Sequence, residues 1–173
     1  MSLVERADTG ARLVIVSGLP GAGKTTFAKY LEGRLRAVRL APDEWMDTLA
    51  IDLYDEEARR NVEALQWQLG QRLLTLGLVV IVEWGTWARA ERDALRIGAR
   101  ALGAAAELHY VSGHPDVLFE RIQRRARERP PIAKATLSQW IEKFEVPTDE
   151  EIALFDEPLD IGSALVSEES TRT

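Results

Sequence analysis

Gly18-Leu19-Pro20-Gly21-Ala22-Gly23-Lys24-Thr25 is the stretch on which the reading of this chain turns. It has the spacing glycine, four variable residues, Gly-Lys-Thr, and it follows the apolar run Leu13-Val14-Ile15-Val16. Glycines at 18, 21 and 23 let the backbone curl until successive N–H groups point into one anion-sized hollow. A helix beginning near Lys24 adds the positive end of its dipole to that hollow. In a loop of this spacing the lysine reaches the β- and γ-phosphates, here Lys24, and the hydroxyl of Thr25 sits on Mg2+. The expected ligand is therefore a nucleoside triphosphate with Mg2+, cradled by Gly18, Leu19, Pro20, Gly21, Ala22, Gly23, Lys24, Thr25 and Thr26.

Outward from this loop, strand and helix patterns alternate. Residues 12–17 read as a strand and 24–36 as a helix with Phe27, Leu31 and Leu35 on one face. Val38-Arg39-Leu40-Ala41 reads as a short second strand ended by Pro42. From Asp55 to Leu76 the residues Ala58, Val62, Leu65, Leu69, Leu73 and Leu76 recur every three or four positions, a helix stopped by Gly77. Residues 78–82 are continuously apolar and β-branched, the pattern of a strand covered on both faces. Residues 88–102 read as a helix and 107–111 as a fourth strand. Pro115 opens another helix, which runs into the arginine-rich segment before Pro130-Pro131. A helix carrying Leu137, Trp140, Ile141 and Phe144 follows, and Leu159-Asp160-Ile161 reads as a last strand. Such alternation predicts a parallel sheet covered by helices on both faces. The expected division is a loose lead-in over 1–11, one domain over 12–162 and a polar tail over 163–173.

Composition narrows the class. The chain has 173 residues, 46% hydrophobic and 29% charged, as expected for one domain with its own core. No apolar run approaches the ~18–20 residues that span a bilayer. The start lacks the order of a signal peptide. Cysteine is absent, so disulfides and thiolate metal sites are excluded, and a cytoplasmic location is expected. A net charge of −6 argues against a general nucleic-acid binder. There is no His pair or Cys to build a transition-metal site.

Ligands of parallel sheets sit beyond the carboxyl ends of the strands. The loop at 18–25, Asp43, Glu83 and the stretch 112–114 all follow predicted strands and are expected to converge there. Phosphoryl transfer needs a group that orients the attacking hydroxyl, and Asp43 is the choice over its neighbours Glu44 and Asp47. Glu83 ends the most apolar strand, where a carboxylate holds Mg2+ through water or meets the acceptor. Residues 121–129 carry five Arg against one Glu. With the prolines behind it, this segment reads as a hinged lid over about 121–135. Arg121, Arg125 and Arg129 are expected on the transferring phosphoryl, while Arg124 and Arg127 face solvent. Trp45, Trp84 and Trp87 lie near strand ends and are candidates for the wall of an acceptor pocket. Trp67 and Trp140 are expected in the core, and His109 as a packed strand residue.

The loop at 18–26, the turn Pro42-Asp43-Glu44, the acid at 83, the pair Arg121 and Arg125 and the segment Phe144-Glu145-Val146-Pro147 form one set. Together they resemble the small P-loop kinases related to zeta toxins, chloramphenicol phosphotransferase and the polynucleotide 5′-hydroxyl kinase domain (the AAA_33-type ATP-binding proteins), over about residues 12–150. The resemblance implies the α/β P-loop NTPase fold of the kinase type, with a five-stranded parallel sheet in the order 2-3-1-4-5. It implies ATP and Mg2+, an Asp base at Asp43 and an Arg-bearing lid. Acceptors differ between branches of that group. The chain is shorter than typical zeta toxins and more acidic than a polynucleotide kinase, which points to a small molecule with a free hydroxyl, such as an antibiotic or sugar nucleotide. Two readings stay open beside this one: an ATP-binding switch or resistance protein that transfers no phosphate, and a nucleic-acid 5′-hydroxyl kinase. The choice of ATP over GTP and the oligomeric state are likewise left open by the sequence.

Overall fold

A computed structural model of the chain describes residues 10–125 and 131–160. The elements are β1 (Arg12–Ser17), α1 (Lys24–Leu35), β2 (Val38–Leu40), α2 (Pro42–Thr48), α3 (Glu56–Thr75), β3 (Val79–Val82), α4 (Arg89–Ala101), β4 (Ala105–Tyr110), α5 (Pro115–Arg125), α6 (Lys134–Lys143) and α7 (Asp149–Ile152). All pairings are parallel, in the order β2-β3-β1-β4. Arg12 lies opposite Val79 on one side and Ala105 on the other. The strand alternation sorts side chains to two faces. Leu13, Ile15, Val80 and Val82 join Leu74 of α3 and Leu95 and Ala99 of α4 in one core. Val14, Val16, Val79 and Ile81 pack against Ala28 and Leu31 of α1 on the other. Connections leave β1 and β3 for opposite edges of the sheet, so the crevice beyond those two strands is the switch point at which such sheets bind ligands.

Two expectations require correction. The fifth strand does not form among the described residues: the chain beside β4 is held there mostly by side chains. Asp156 N–H donates to Ala106 O at 2.8 Å, but the Asp156 carboxylate then takes the Ala106 N–H at 2.8 Å. Glu107 takes the Leu159 N–H at 2.9 Å, and Pro158 has no N–H to give. Carboxylates thus occupy the edge that a fifth strand needs. Ile161 lies outside the described residues.

The helix over 56–75 is also rotated from the expected face. Leu65 and Leu76 are exposed, whereas Val62, Gln66, Gly70 and Leu74 are buried. Gly70 lets α3 press onto the sheet, since a Cβ there would stand 3.2 Å from Leu40 Cδ1. Gln66 faces inward because its Oε1 accepts the indole N–H of Trp84 at 2.9 Å.

Candidate active site

The phosphate loop is shaped by contacts that only glycine permits. A Cβ on Gly18, whose φ is +150°, would lie 2.2 Å from the carbonyl oxygen of Val111. One on Gly21, φ +82°, would lie 2.7 Å from that of Leu118. The turn thus closes against the end of β4 and against α5. Gly18→Ala is expected to destabilise the fold by at least about 2 kcal/mol, combining backbone strain with overpacking. Urea unfolding checks this, and an unchanged midpoint would mean that the loop yields.

The residue before α1, Gly23, offers no capping side chain, so the first N–H groups of the helix remain for an anion. Lys24 Nζ donates to Leu19 O at 3.1 Å. Burial lowers its pKa to about 8; Glu83 and Asp43 oppose that shift, and Arg125 and Arg59 add to it. A half-buried ammonium bonded to one carbonyl has capacity left for phosphate oxygens.

Thr25 Oγ1 donates to Glu83 Oε1 across the mouth of the crevice between β1 and β3. The other oxygen of Glu83 accepts from Arg39 Nη1 at 2.8 Å. Arg39 spreads its remaining donors over Glu32 (3.0 Å) and both oxygens of Glu44 (2.9 and 2.8 Å). Sequence reading missed Arg39; a lone arginine in a three-residue strand was the available signal. With Arg39 and Glu83 each only 7% exposed, removing the cation strands an acid. Arg39→Met is expected to cost about 3 kcal/mol, the lower end for a broken buried pair. Thermal unfolding at low and high salt reads it, and a loss that salt abolishes would mark a surface pair.

Asp43 stands in the first turn of α2, which starts at Pro42 itself. Its Oδ1 accepts from Arg59 Nη2 at 2.8 Å, and the same nitrogen reaches Leu53 O at 3.1 Å. One turn further along α3, burial raises the pKa of Glu63; Arg59 opposes the shift, and Glu91 and Asp43 add to it. Arg59 and Glu63 were also missed, because their roles depend on α3 packing beside α2. Glu83 and Asp43 thus both favour the charged form of Lys24 against the effect of burial.

Of the expected lid cations, Arg121 reaches over the loop, its Nη1 at 3.5 Å from Gly21 O. Arg125 bears on Lys24 through charge. Arg129 and Arg127 lie outside the described residues, and the lid over 121–135 is described only at its two ends. Arg124 pairs with Glu120 in the open, as a solvated face does.

The three tryptophans separate. Trp84 is a core residue rather than a wall: it is buried, bonded to Gln66 and set edge-on to Trp67 at 6.5 Å. Trp45 is half-buried against the same core. Trp87 is half-buried beside Trp140 and Phe144, at 6.0 and 6.3 Å. His109 is packed, with Glu107 at 3.0 Å and Phe27 at 5.3 Å.

This donor set fits a Mg2+-bound triphosphate. It joins an uncapped helix start, a desolvated lysine and a hydroxyl meeting a carboxylate that is itself fixed by Arg39. Thr25 and Glu83 are the side chains that would hold the ion. Among the described residues, no helix is long and apolar enough to cross a membrane.

The sequence pattern of AAA_33, an AAA domain, matches residues 13–147. A shikimate kinase of Bradyrhizobium diazoefficiens is 25% identical over 130 residues, which cover 73% of this chain and 60% of that protein's length. The fold is similar to Chaetomium thermophilum Kti12 in complex with ADP-AlF3, with a TM-score of 0.61, 21% identity and coverage of 79% of this chain and 81% of that one. It is also similar to a gluconokinase from Sinorhizobium meliloti 1021, with a TM-score of 0.56, 20% identity and coverage of 81% and 78%. A parallel sheet in the order 2-3-1-4 with a glycine-rich loop after β1 is the fold shared with those two structures, and since the matched pattern spans most of the sequence, the chain belongs to the AAA_33 family.

Proposed function

We propose that this protein is an ATP-dependent phosphotransferase that moves the γ-phosphoryl of ATP to a hydroxyl of a small molecule. The observation that carries the reading is the meeting of Thr25 and Glu83 beside the start of α1, with Asp43 near enough to bear on Lys24. In this reading a phosphate cradle, a metal position and a carboxylate for the acceptor lie along one crevice. The backbone N–H groups of 18–25 and Lys24 hold the phosphates. Asp43 orients the acceptor hydroxyl and takes its proton as the oxygen bonds to the γ-phosphorus and the bond to the β-phosphate oxygen breaks. Arg59 donates to Oδ1 of Asp43, leaving Oδ2 for that proton. Thr25 and Glu83 are the side chains that would hold Mg2+, which would supply neutralisation of the charge developing on the phosphates. Arg121 and Arg125, with Arg129, supply further cations to the departing charge.

The names of the similar proteins, shikimate kinase and gluconokinase, support a small polyhydroxylated acceptor; an antibiotic or a sugar nucleotide fits the same chemistry. Trp87 and Trp45 remain the aromatic candidates for its wall, and a reducing cytoplasm is the setting we assign. Purified protein with ATP and Mg2+ is to be incubated with pooled shikimate-like acids, sugars, sugar nucleotides, nucleosides and hydroxylated antibiotics, with mass spectrometry as the readout. A product heavier by one phosphoryl group, lost in Lys24→Ala, is expected. ATP turnover to ADP with no phosphorylated product from any pool would instead favour a non-transferring ATPase.

A further inference from the structure

Arg92, on the inner face of α4, has 0% of its surface exposed, and Glu151 of α7 is as deeply buried. The two form a forked ion pair: Nε donates to Oε1 at 2.6 Å and Nη2 to Oε2 at 2.9 Å. The remaining donor capacity goes to main-chain carbonyls. Nη1 reaches Thr86 O at 2.9 Å and Trp87 O at 3.4 Å, and Nη2 reaches Glu145 O at 2.8 Å. One guanidinium therefore joins the segment leaving β3, the segment leaving α6, and α7. Glu145 adds two bonds between the same segments: its N–H donates to Trp87 O at 2.9 Å, and its carboxylate accepts the Arg89 N–H at 2.7 Å.

The segment so held is strained. Thr86 has a φ of +40°, in the left-handed region that a β-branched residue adopts only under constraint. Its carbonyl accepts from Ser17 Oγ at 3.2 Å as well as from Arg92. Ser17 ends the strand from which the phosphate loop departs. The peptide is thus fixed from both sides, by the base of the loop and by Arg92, and strain of this kind persists only where the surroundings over-determine it. A buried ion pair serves stability poorly compared with apolar side chains of equal volume. Tethering the carbonyls of Thr86 and Trp87 gives the pair a different use.

We propose that Arg92 is a positioning residue for the acceptor-side wall of the crevice: it holds the strained Thr86–Trp87 segment to the end of α6, so that the phosphate loop and the wall change shape together. The proposal rests on the triphosphate reading of the crevice and adds to it a residue that touches neither ligand. The packing that joins the two regions is continuous. Leu19 and Ala22 of the phosphate loop share one cluster with Leu118, Ile122, Leu137 and Phe144. The ring of Phe144 lies 6.0 Å from the Arg92 guanidinium carbon. Occupancy of the loop therefore bears on residues 84–88 through side chains that end at Arg92.

Hydrogen exchange on the full chain, with and without Mg2+ and the non-hydrolysable analogue AMP-PNP, tests this without knowledge of the acceptor. In the unmodified protein the analogue is expected to slow exchange at 18–26 and also, by about fivefold, at 84–88. Arg92→Lys keeps a cation against Glu151 but lacks the fork. The double variant Arg92→Met with Glu151→Met removes both charges together and guards against loss of fold in the first. In either folded variant, protection at 18–26 is expected to stay within about twofold of the unmodified protein while that at 84–88 disappears. Protection at 84–88 that survives in a folded variant would reduce Arg92 to a structural clamp and overturn the proposal. So would its absence in the unmodified protein when 18–26 is protected. No protection at 18–26 at all would overturn the triphosphate reading itself, and the coupling with it.

Discussion

Asp43→Asn is expected to lower phosphorylation of the acceptor by about 10²–10⁴-fold, the range for loss of a positioned general base. The substitution keeps the shape of the side chain, and its amide oxygen still accepts from Arg59, so the first turn of α2 stays as it is. It removes only the capacity to take a proton from the acceptor hydroxyl. Because the bond that Asp43 makes is to Arg59 of α3 and its effect on Lys24 is through charge alone, the affinity for ATP is expected to change by less than about threefold. The measurement is a full kinetic comparison on the acceptor found by mass spectrometry, with kcat separated from the KM of each substrate. A fall in kcat at constant ATP affinity assigns the proton transfer to Asp43. A KM effect on the acceptor alone would mean that Asp43 binds and does not accept a proton. Unaltered turnover would move the role to Glu44 or Asp47.

Much of this crevice is legible in the sequence because its elements are defined by local rules. The loop at 18–25 announces itself by glycines that a side chain cannot replace, and the structure shows why: at Gly18 and Gly21 the neighbouring carbonyls leave no room for a Cβ. Glu83 is found by its place after a strand apolar on both faces, and Asp43 by its place after Pro42. What is not legible belongs to pairings between distant segments. Arg39 meets Glu83 from 44 residues away, Arg92 meets Glu151 from 59, and neither partner carries a local sign of the other. Trp84 read as a wall residue since its position at a strand end is the same for a wall and a core. The bond to Gln66, which decides for the core, depends on how α3 is rotated. The absence of a fifth strand among the described residues has the same origin. Leu159-Asp160-Ile161 has strand-like composition, but the Asp156 carboxylate already takes the Ala106 N–H of the β4 edge, and the Glu107 carboxylate takes the N–H of Leu159. Local propensity yields where long-range groups fill the same hydrogen bonds.

Lys24 yields the second large effect, and its two halves have opposite signs. In the free protein burial lowers its pKa from 10.5 to about 8. Between those values the unfolded chain binds a proton that the folded chain does not, so stability rises with pH through that window and the penalty is fully present below it. The gap corresponds to a penalty on the order of 3 kcal/mol at pH 7. Lys24→Met, which fills a similar volume without charge, is therefore expected to stabilise the free protein at pH 7 and to flatten its stability between about pH 8 and 10. A bound triphosphate reverses the balance, because its oxygens pair with the ammonium. The same variant is expected to weaken nucleotide binding at pH 7 by about 10–100-fold, the worth of a charge-assisted contact. In the unmodified protein affinity is expected to fall with pH above about 8, by up to tenfold per unit, as binding comes to require uptake of a proton. Thermal unfolding of the free protein and titration with a fluorescent ATP analogue across pH 7–9.5 measure both halves. A variant that is less stable at pH 7 and binds nucleotide undiminished would make Lys24 a structural tether on the Leu19 carbonyl. A gain in stability with a loss of binding identifies a charge that the fold carries at its own expense because a phosphate is to meet it there.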